Sequence, residues 1–282
     1  MNYIIKTVPK TDIHKAIALF AVCFDSDSRE AELFFEPDEK IVIGAYKGDT
    51  LCSMLTAFKC TAVTSDGDGN ALYMAGVATS PQHRKQGLFH RCFEYLLSIS
   101  QGYDFVFCIP ATKSLFSLYR DVGMDEDIPI KKVEIIFQPE PKEIIRLGFN
   151  DDISEYIAKT DELYTKNGRC YIKKNHSLAE STIKSFLLYG GKAVVGSNFT
   201  ALYRLEDKKA VVADIITDTE TSASITDAVK SFSPFGKADI TLPINVKDDF
   251  ISNANKIIAV EKKLKSFLNI TGLYVNVLYN EM

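Results

Sequence analysis

The apolar pattern of the chain changes its period most clearly between residues 70 and 100. Ala71 to Ala78 contains no polar side chain apart from one phenol, which predicts a strand buried on both faces. After Gly87, apolar residues recur at helical spacing and form a stripe of Leu88, Cys92, Leu96 and Ile99. The residues between them, Thr79 to Gln86, are polar and basic. The stretch therefore predicts a strand, a polar turn and a helix in succession.

Shorter patterns on either side predict that this stretch lies within a mixed α/β domain. Before it, they predict a strand, two helices and a hairpin, at Tyr3 to Val8, Thr11 to Phe24, Asp25 to Phe35, Ile41 to Tyr46 and Leu51 to Val63. After it, they predict a strand, a helix and a strand, at Phe105 to Ile109, Ala111 to Met124 and residues 131 to 138. This order is typical of a mixed sheet covered by helices.

The second half of the chain repeats this outline. The proline-containing linker at Pro139 to Lys142 predicts a boundary between two domains, residues 1–140 and 141–282. The predicted strands of the second half lie at Ile144 to Phe149, within Lys192 to Thr217, at Ala238 to Leu242 and at Leu273 to Tyr279. Its predicted helices run from Asp151 to Thr165, Ser177 to Leu188, Ser222 to Phe232 and Ser252 to Leu268.

The polar turn before Gly87 has the chemistry of a phosphate-binding site. The first N–H groups of a helix have no partner within the helix, and the helix dipole makes that end positive. Gly87 lets a ligand approach the backbone, while Arg84 and Lys85 add positive charge. The alternative interpretation is an ordinary connection between a strand and a helix, with a basic and solvated loop.

The run from Arg84 to Phe89, RKQGLF, resembles the Arg/Gln-x-x-Gly-x-Gly/Ala signature of the GCN5-related N-acetyltransferases (GNAT). Phe89 replaces the last glycine or alanine of the signature, and a bulkier residue there is similar to the enhanced-intracellular-survival (Eis) type. The resemblance implies a GNAT fold that binds acetyl-coenzyme A (acetyl-CoA) as a cosubstrate, with its pyrophosphate on this run and its pantetheine arm along the preceding strand. The cofactor-binding residues that it implies are Val77, Ala78, Thr79, Arg84, Lys85, Gln86, Gly87, Leu88 and Phe89.

A second segment, Leu118 to Met124 (LYRDVGM), also resembles the family, whose equivalent helix carries a tyrosine and ends near a glycine that precedes an aromatic residue. Gly123 is placed to end the helix, and Met124 replaces the aromatic residue. By this resemblance, Tyr119 would protonate the departing coenzyme A thiolate. A phenol with a pKa near ~10 can protonate a thiolate without being ionised itself at neutral pH. The alternative is a core tyrosine whose hydroxyl lies at the rim.

The resemblance to the Eis type further implies two tandem GNAT-like domains. The strand at Val211 to Thr217 corresponds to the central strand of the first half, but the acidic turn Asp218 to Thr221 follows it, and such a turn repels pyrophosphate. We therefore expect a catalytic first domain and a degenerate second one. The general base stays open between Glu32, Glu36 and an ordered water, while the Eis type uses its terminal carboxylate, here that of Met282.

Composition narrows the class of protein. The formal net charge of -4 argues against a general nucleic-acid binder, and no apolar run has the length that spans a bilayer. The six cysteines form no CxxC pair and lie mostly in apolar segments, which is typical of a reduced, cytoplasmic protein. The four histidines lack metal-ligand spacing, so we expect no metal. The expected acceptor is an amine of a small molecule or peptide, and an oligomer is neither required nor excluded.

Three other functions fit parts of the sequence. The tandem fold also resembles the aminoacyl-transferases that carry an amino acid from tRNA to a cell-wall peptide, although the basic glycine turn argues against them. A non-catalytic acyl-CoA sensor or interaction protein would keep the turn and would not need the hydroxyl of Tyr119. A protein that binds another nucleotide ranks last, because neither GxxxxGK[ST] nor GxGxxG occurs.

Overall fold

The structure is a computed structural model that describes residues 2–168, 170–243, 252–264 and 273–275. The described residues divide into two compact units. Unit 1 holds those within Met1–Thr61, Gly69–Glu126 and Ala259–Leu268, and unit 2 holds those within Ala62–Asp68, Asp127–Ile258 and Asn269–Met282. This division falls after Glu126, before the predicted boundary at residue 140, because the strand that begins there pairs within unit 2.

Within the described residues the chain forms thirteen strands and seven α-helices. The strands are β1 (Ile4–Thr7), β2 (Lys40–Lys47), β3 (Thr50–Thr64), β4 (Gly67–Thr79), β5 (Phe105–Cys108), β6 (Glu126–Ile136), β7 (Ile145–Leu147), β8 (Tyr171–Lys174), β9 (Lys192–Val195), β10 (Phe199–Glu206), β11 (Lys209–Thr217), β12 (Lys237–Pro243) and β13 (Ser252–Lys263). The helices are α1 (Ile13–Phe24), α2 (Ser28–Phe35), α3 (Leu88–Ile99), α4 (Lys113–Arg120), α5 (Ser154–Lys166), α6 (His176–Leu188) and α7 (Ser222–Phe232).

In unit 1 the strands follow the order β1-β2-β3-β4-β5-β13. β1, β2 and β3 are antiparallel neighbours, whereas β4 and β5 run parallel, as the strand–helix–strand order between them requires. Residues 260–263 of β13 pair antiparallel with β5. The apolar face of α3 packs on this sheet through Leu88, Cys92, Phe93 and Leu96, beside Leu72 and Val106. This packing fixes the position of the turn that joins β4 to α3.

In unit 2 the strands follow the order β6-β12-β11-β10-β9-β7. β11 and β12 are parallel, and α7 lies between them in sequence, as α3 lies between β4 and β5. The core around α7 includes Ile225, Val229 and Phe232, and a second cluster contains residues of α5 and α6 such as Tyr156 and Phe186. The predicted repetition of the outline is therefore visible in the order of elements.

Two parts of the second half differ from the sequence-based expectation. The predicted helix Ser252 to Leu268 is wrong over residues 252–263, which form β13, and residues 265–268 lie outside the described residues. The run from Ile257 to Val260 is rich in β-branched residues, which favour strands, and the edge of β5 offers a ladder to pair with. Of the predicted strand Leu273 to Tyr279, residues 273–275 are described, and Tyr274 bridges to Tyr171; the remainder lies outside the described residues.

Among the described helices, none combines the length and the apolar composition needed to cross a membrane.

Candidate functional site

The carboxyl end of β4 extends beyond its pairing with β5. Ala71 to Tyr73 are registered with Phe105 to Phe107, and the strand then continues to Thr79. Gly76 interrupts the run with a φ of 59°, and a Cβ built on it would lie 2.6 Å from Cζ of Phe34. Both the left-handed backbone and the close ring therefore require glycine. A positive φ inside a strand is typical of a bulge, and bulges are frequent beside functional sites.

The backbone direction near the end of β4 follows from two hydrogen bonds to β3. The N–H of Ser80 donates to the carbonyl of Cys52 at 2.9 Å, and the carbonyl of Ala78 accepts from Oγ of Ser53 at 3.0 Å. Main-chain groups alternate between the two edges of a strand. The N–H and C=O groups of Val77 and Thr79 therefore point away from β3, whereas those of Ala78 point toward it.

The turn between β4 and α3 contains a short 3-10 turn, Pro81–His83, and two residues in the left-handed region, Lys85 (φ 60°) and Gly87 (φ 67°). Within the described part of the chain, the N–H groups of residues 84–89 donate no hydrogen bond. A Cβ built on Gly87 would meet no atom within 4 Å. Successive N–H groups in such a turn, at the positive end of a helix, form a concavity for an anion.

The side chains of the predicted cofactor-binding run divide into two groups. Those of Arg84, Lys85 and Gln86 are exposed, whereas those of Leu88 and Phe89 are buried in the core of unit 1. Phe89 points into the core, so its bulk does not fill the turn. Leu88 and Phe89 can therefore contribute only their N–H groups to a ligand. Nε of Arg84 donates to the carbonyl of Thr79 at 3.1 Å, which places the guanidinium at the end of β4.

The shape of the turn depends on Tyr3, a residue that the sequence reading did not select. Its hydroxyl lies 2.9 Å from Nδ1 of His83 and donates to Oε1 of Gln86 at 2.9 Å. Because the hydroxyl has one hydrogen, Nδ1 of His83 must donate to it. Nη2 of Arg91 in α3 also donates to the carbonyl of Tyr3 at 2.9 Å. Tyr3 thus ties β1, the turn and α3 together, and the side chain of Gln86 faces Tyr3.

Cys23, near the end of α1, is a second unpredicted neighbour of the turn. It interacts with the N–H of Thr79 and the guanidinium of Arg84. Burial raises the pKa of the Cys23 thiol, and these two positive groups lower it again in part. The thiol is therefore mainly protonated at neutral pH.

Tyr119 lies in α4 and is 6% exposed. Its ring contacts that of Phe89 edge to face, with 5.6 Å between the ring centroids. The structure thus brings the two sequence-predicted segments together, since Phe89 belongs to the first turn of α3. The C-terminus of α4 has the predicted glycine stop, because Gly123 is left-handed (φ 82°) and the N–H of Met124 bonds the carbonyl of Tyr119 at 3.1 Å.

A residue distant in sequence contacts the segment that follows α4. Nζ of Lys262, in β13, donates to the carbonyl of Val122 at 3.0 Å. A cation at the C-terminus of a helix satisfies a carbonyl that the helix leaves open and interacts favourably with its dipole. Lys262 therefore helps to hold the helix that carries Tyr119.

The general base stays a prediction, and the structure describes two of its candidates. Glu32 is exposed on α2, and Glu36 is exposed directly after it. Met282 lies outside the described residues. Within the described ranges, no group of three or more His, Cys, Asp and Glu residues is arranged to hold a metal ion.

The corresponding turn of unit 2 is built differently. Oγ1 of Thr221 accepts from the N–H of Ser224, and Oγ of Ser224 accepts from the N–H of Thr221, which is a reciprocal cap on α7. The N–H of Asp218 bonds the carbonyl of Asn198 at 2.8 Å. These N–H groups of the unit 2 turn therefore bond to other groups of unit 2, whereas those of residues 84–89 in unit 1 make no hydrogen bond within the described residues.

Comparison with known proteins agrees with this geometry. Residues 4–125 match a family model described as an acetyltransferase (GNAT) domain. No curated protein matches the sequence.

Several solved structures share the fold over most of the chain. A conserved protein of unknown function from Enterococcus faecalis V583, described as a probable N-acyltransferase, has a TM-score of 0.72 at 12% identity, over 94% of this chain and 73% of that one. Eis1 from Mycobacterium abscessus has a TM-score of 0.68 at 12% identity, over 93% and 73%. A GCN5-related N-acetyltransferase from Kribbella flavida has a TM-score of 0.65 at 13% identity, over 93% and 71%.

The predicted resemblance to GNAT proteins in an Eis-like arrangement is confirmed by these matches, as is the mixed α/β fold with two tandem GNAT-like domains. The family model supports acyl transfer as the general activity.

Proposed function

We propose that unit 1 transfers an acetyl group from acetyl-CoA to an amine of a small molecule or peptide. The observation that carries this proposal is the set of open N–H groups at residues 84–89, around a Gly87 with free space above it. A diphosphate needs several converging donors and positive charge, and this turn supplies both through its backbone, Arg84 and Lys85.

The edge of β4 supports the placement of the pantetheine arm. Val77 and Thr79 direct their main-chain groups away from β3, past the point where β5 has stopped pairing. An amide-containing chain can hydrogen-bond to such an edge as an added strand would. The main-chain groups of Ala78 face β3, so Ala78 lies beside the pantetheine arm without a main-chain hydrogen bond to it. The carbonyl of Thr79 is bonded to Arg84 and its N–H interacts with the thiol of Cys23, so these contacts must open or be shared when the arm binds.

The chemical step needs one proton donor and one proton acceptor. The amine nitrogen attacks the thioester carbonyl, the carbon–sulfur bond breaks, and the electron pair leaves on sulfur. Tyr119 then gives its hydroxyl proton to the thiolate, and the nitrogen loses a proton to a base that is still to be identified. An N–H group of the strand near Val77 would stabilise the oxyanion. The buried ring of Tyr119, packed on Phe89, is held in one place for this role.

The proposal is tested by titrating the protein calorimetrically with acetyl-CoA and then measuring thiol release with a library of amines. Tyr119→Phe should leave the Kd for acetyl-CoA unchanged and lower kcat by about two to four powers of ten, because only proton transfer is removed. Tyr103→Phe, also in unit 1, serves as the matched control and should change neither quantity.

Two results would contradict the proposal. Tight binding without transfer to any amine, with Tyr119→Phe indistinguishable from the unchanged protein, would instead identify an acyl-CoA sensor. Failure to bind acetyl-CoA at all would show that the turn at residues 84–89 does not bind its diphosphate.

A further inference from the structure

Unit 2 contains a small polar pocket of its own between α5, α6 and the strands β10 and β11. Its volume is about 40 Å³ for water-sized molecules. The lining residues are Tyr156, Ile157, Thr160, Asp161, Ile172, Lys174, Ala179, Thr182, Ile183, Leu202 and Asp214. Asp161 and Lys174 are partly exposed, whereas Asp214 is 4% exposed and lies at the inner wall. The pocket thus combines two carboxylates, those of Asp161 and Asp214, and one ammonium group, that of Lys174, with apolar side chains.

Asp214 is held by two phenols. The hydroxyl of Tyr164 contacts both of its carboxylate oxygens, at 2.8 and 3.0 Å, and the hydroxyl of Tyr274 donates to Oδ1 at 3.1 Å. An ionised carboxylate has about four acceptor positions, and two phenols supply two hydrogens. Among the described residues, no Lys, Arg or His forms an ion pair with Asp214. A buried carboxylate without a cation is costly, so the acceptor positions that the phenols leave open on Asp214 favour a cationic donor.

The hydroxyls in the pocket wall also present acceptors. Oγ1 of Thr182 donates to the carbonyl of Leu178 at 2.6 Å, and Oγ1 of Thr160 donates to the carbonyl of Tyr156 at 2.7 Å. Because the Thr160 hydrogen is used in this way, Thr200, 2.8 Å away, must donate to Thr160. Both wall hydroxyls have therefore spent their hydrogens on the protein. Thr160 also interacts with the hydroxyl of Tyr156, so Thr182 is the one of the two with open acceptor positions among the described contacts.

From this excess of acceptors we propose that the pocket of unit 2 binds a small organic cation with a primary ammonium head group. An ammonium group carries three donors and one positive charge, which matches the open positions on Asp214 and on the hydroxyl of Thr182. The volume holds roughly three water molecules, so it accommodates the head group and one to three carbon atoms. Ile172, Ile183 and Leu202 are apolar partners for that short chain.

This site is independent of the function proposed for unit 1. It contains neither the basic turn nor Tyr119, and its carboxylate belongs to β11, which leads to an acidic, capped turn. A ligand here requires no acetyl-CoA. The proposal therefore gives unit 2 a ligand of its own, whether or not unit 1 transfers acetyl groups.

The test uses the full chain without acetyl-CoA and measures ligand binding by saturation-transfer NMR and calorimetry. The probes are methylammonium, ethylammonium and n-propylammonium, with n-propanol as a neutral isostere and potassium ion as an inorganic cation. The alkylammonium ions should bind with a Kd on the order of millimolar, as expected for ligands of so few atoms. Asp214→Asn should weaken n-propylammonium binding at least about tenfold, because the charge is removed while the shape is kept.

Two further variants make the test independent of how Asp214→Asn folds. Ala179→Leu adds apolar bulk to the pocket wall without altering charge, and it should also reduce binding at least about tenfold by filling the space. Asp227→Asn, on the exposed face of α7, removes a carboxylate outside the pocket and should change nothing. Because the acceptor proposed for unit 1 is also an amine, only the binding lost in both pocket variants counts as binding to this site.

An unchanged thermal unfolding curve for both pocket variants shows that the chain, unit 2 included, stays folded. The proposal is overturned if no alkylammonium ion binds, if the two pocket variants bind like the unchanged protein, or if n-propanol or potassium ion binds as tightly as n-propylammonium.

Discussion

The two units each contain a strand, a turn and a helix in the same order, and the two turns treat the N-terminus of their helix in opposite ways. In unit 2, Thr221 and Ser224 cap α7 reciprocally. In unit 1, Gly87 precedes α3 without any side-chain cap, and the N–H groups of residues 84–89 make no hydrogen bond within the described chain. Basic side chains surround the open turn, whereas Asp218 and Glu220 lie in the closed one.

The difference between the two turns shows that a helix cap and a ligand compete for the same N–H groups at the start of a helix. A serine or threonine cap stabilises a helix by about 1 kcal/mol because it satisfies an N–H group that the helix leaves open. A turn that gives up this cap keeps those N–H groups for a ligand, and it must be held in shape from outside. In unit 1 that support comes from Tyr3, which bonds both His83 and Gln86. The capped turn of unit 2 combines its cap with a main-chain bond from Asp218 to Asn198.

Reversing the charge of the open turn should give the largest effect on binding. Arg84→Glu should raise the Kd for acetyl-CoA about 100-fold, since the change places a negative charge beside the diphosphate. Calorimetry measures the Kd, and Lys192→Glu, an exposed reversal in unit 2, is the control with the same change in net charge. Equal affinities for the two variants would show that the turn does not hold the phosphates.

Closing the free space above the open turn should have a smaller effect. Gly87→Ala should raise the Kd for acetyl-CoA about tenfold and lower the stability of the fold by about 1 kcal/mol, because the left-handed backbone disfavours a Cβ. Gly190→Ala is a matched control, since Gly190 is also left-handed (φ 80°) and also faces open space. It should lose similar stability in a denaturant titration without any loss of affinity, and a parallel loss of affinity would count against the turn.

Removing the external support of the turn should weaken binding more mildly. Tyr3→Phe deletes the hydroxyl that joins His83 and Gln86, so we expect the Kd for acetyl-CoA to rise about fivefold, which corresponds to roughly 1 kcal/mol. Tyr46→Phe is the control, because Tyr46 also bonds a polar side chain of unit 1, Asp12, but away from the turn. Unchanged affinity in Tyr3→Phe would mean that the turn keeps its shape alone.

Removing the cap from the closed turn should affect stability alone. Thr221→Ala should lower the free energy of unfolding by about 1 kcal/mol, because an N–H group at the start of α7 loses its partner. The Kd for acetyl-CoA should stay the same in calorimetry. Acetyl-CoA binding that appears in unit 2 after this single change would show that capping, and not charge, distinguishes the two turns.

Local signals in the sequence predicted the open turn well. The buried run before it, the helical stripe after it and Gly87 between them lie within a short stretch, and Gly123 ended α4 as predicted. The contacts that hold this turn and the end of α4 could not be predicted from such local signals. Tyr3 is 83 residues from Gln86, and Lys262 is 140 residues from Val122, so no spacing rule links them.

The wrong prediction of a helix over residues 252–263 has the same origin. The edge of β5 supplies a strand partner that only the folded unit creates. Pairing between distant segments decided the outcome against local preference.

The return of β13 to β5 has a practical consequence for dissecting the protein. A fragment cloned to end near residue 140 would lack residues 260–263 and the ammonium group of Lys262. One side of β5 would then present an unpaired ladder, which is a template for aggregation. Unit 1 should therefore be produced together with its distant strand, by keeping the chain intact or by joining that strand through a new linker.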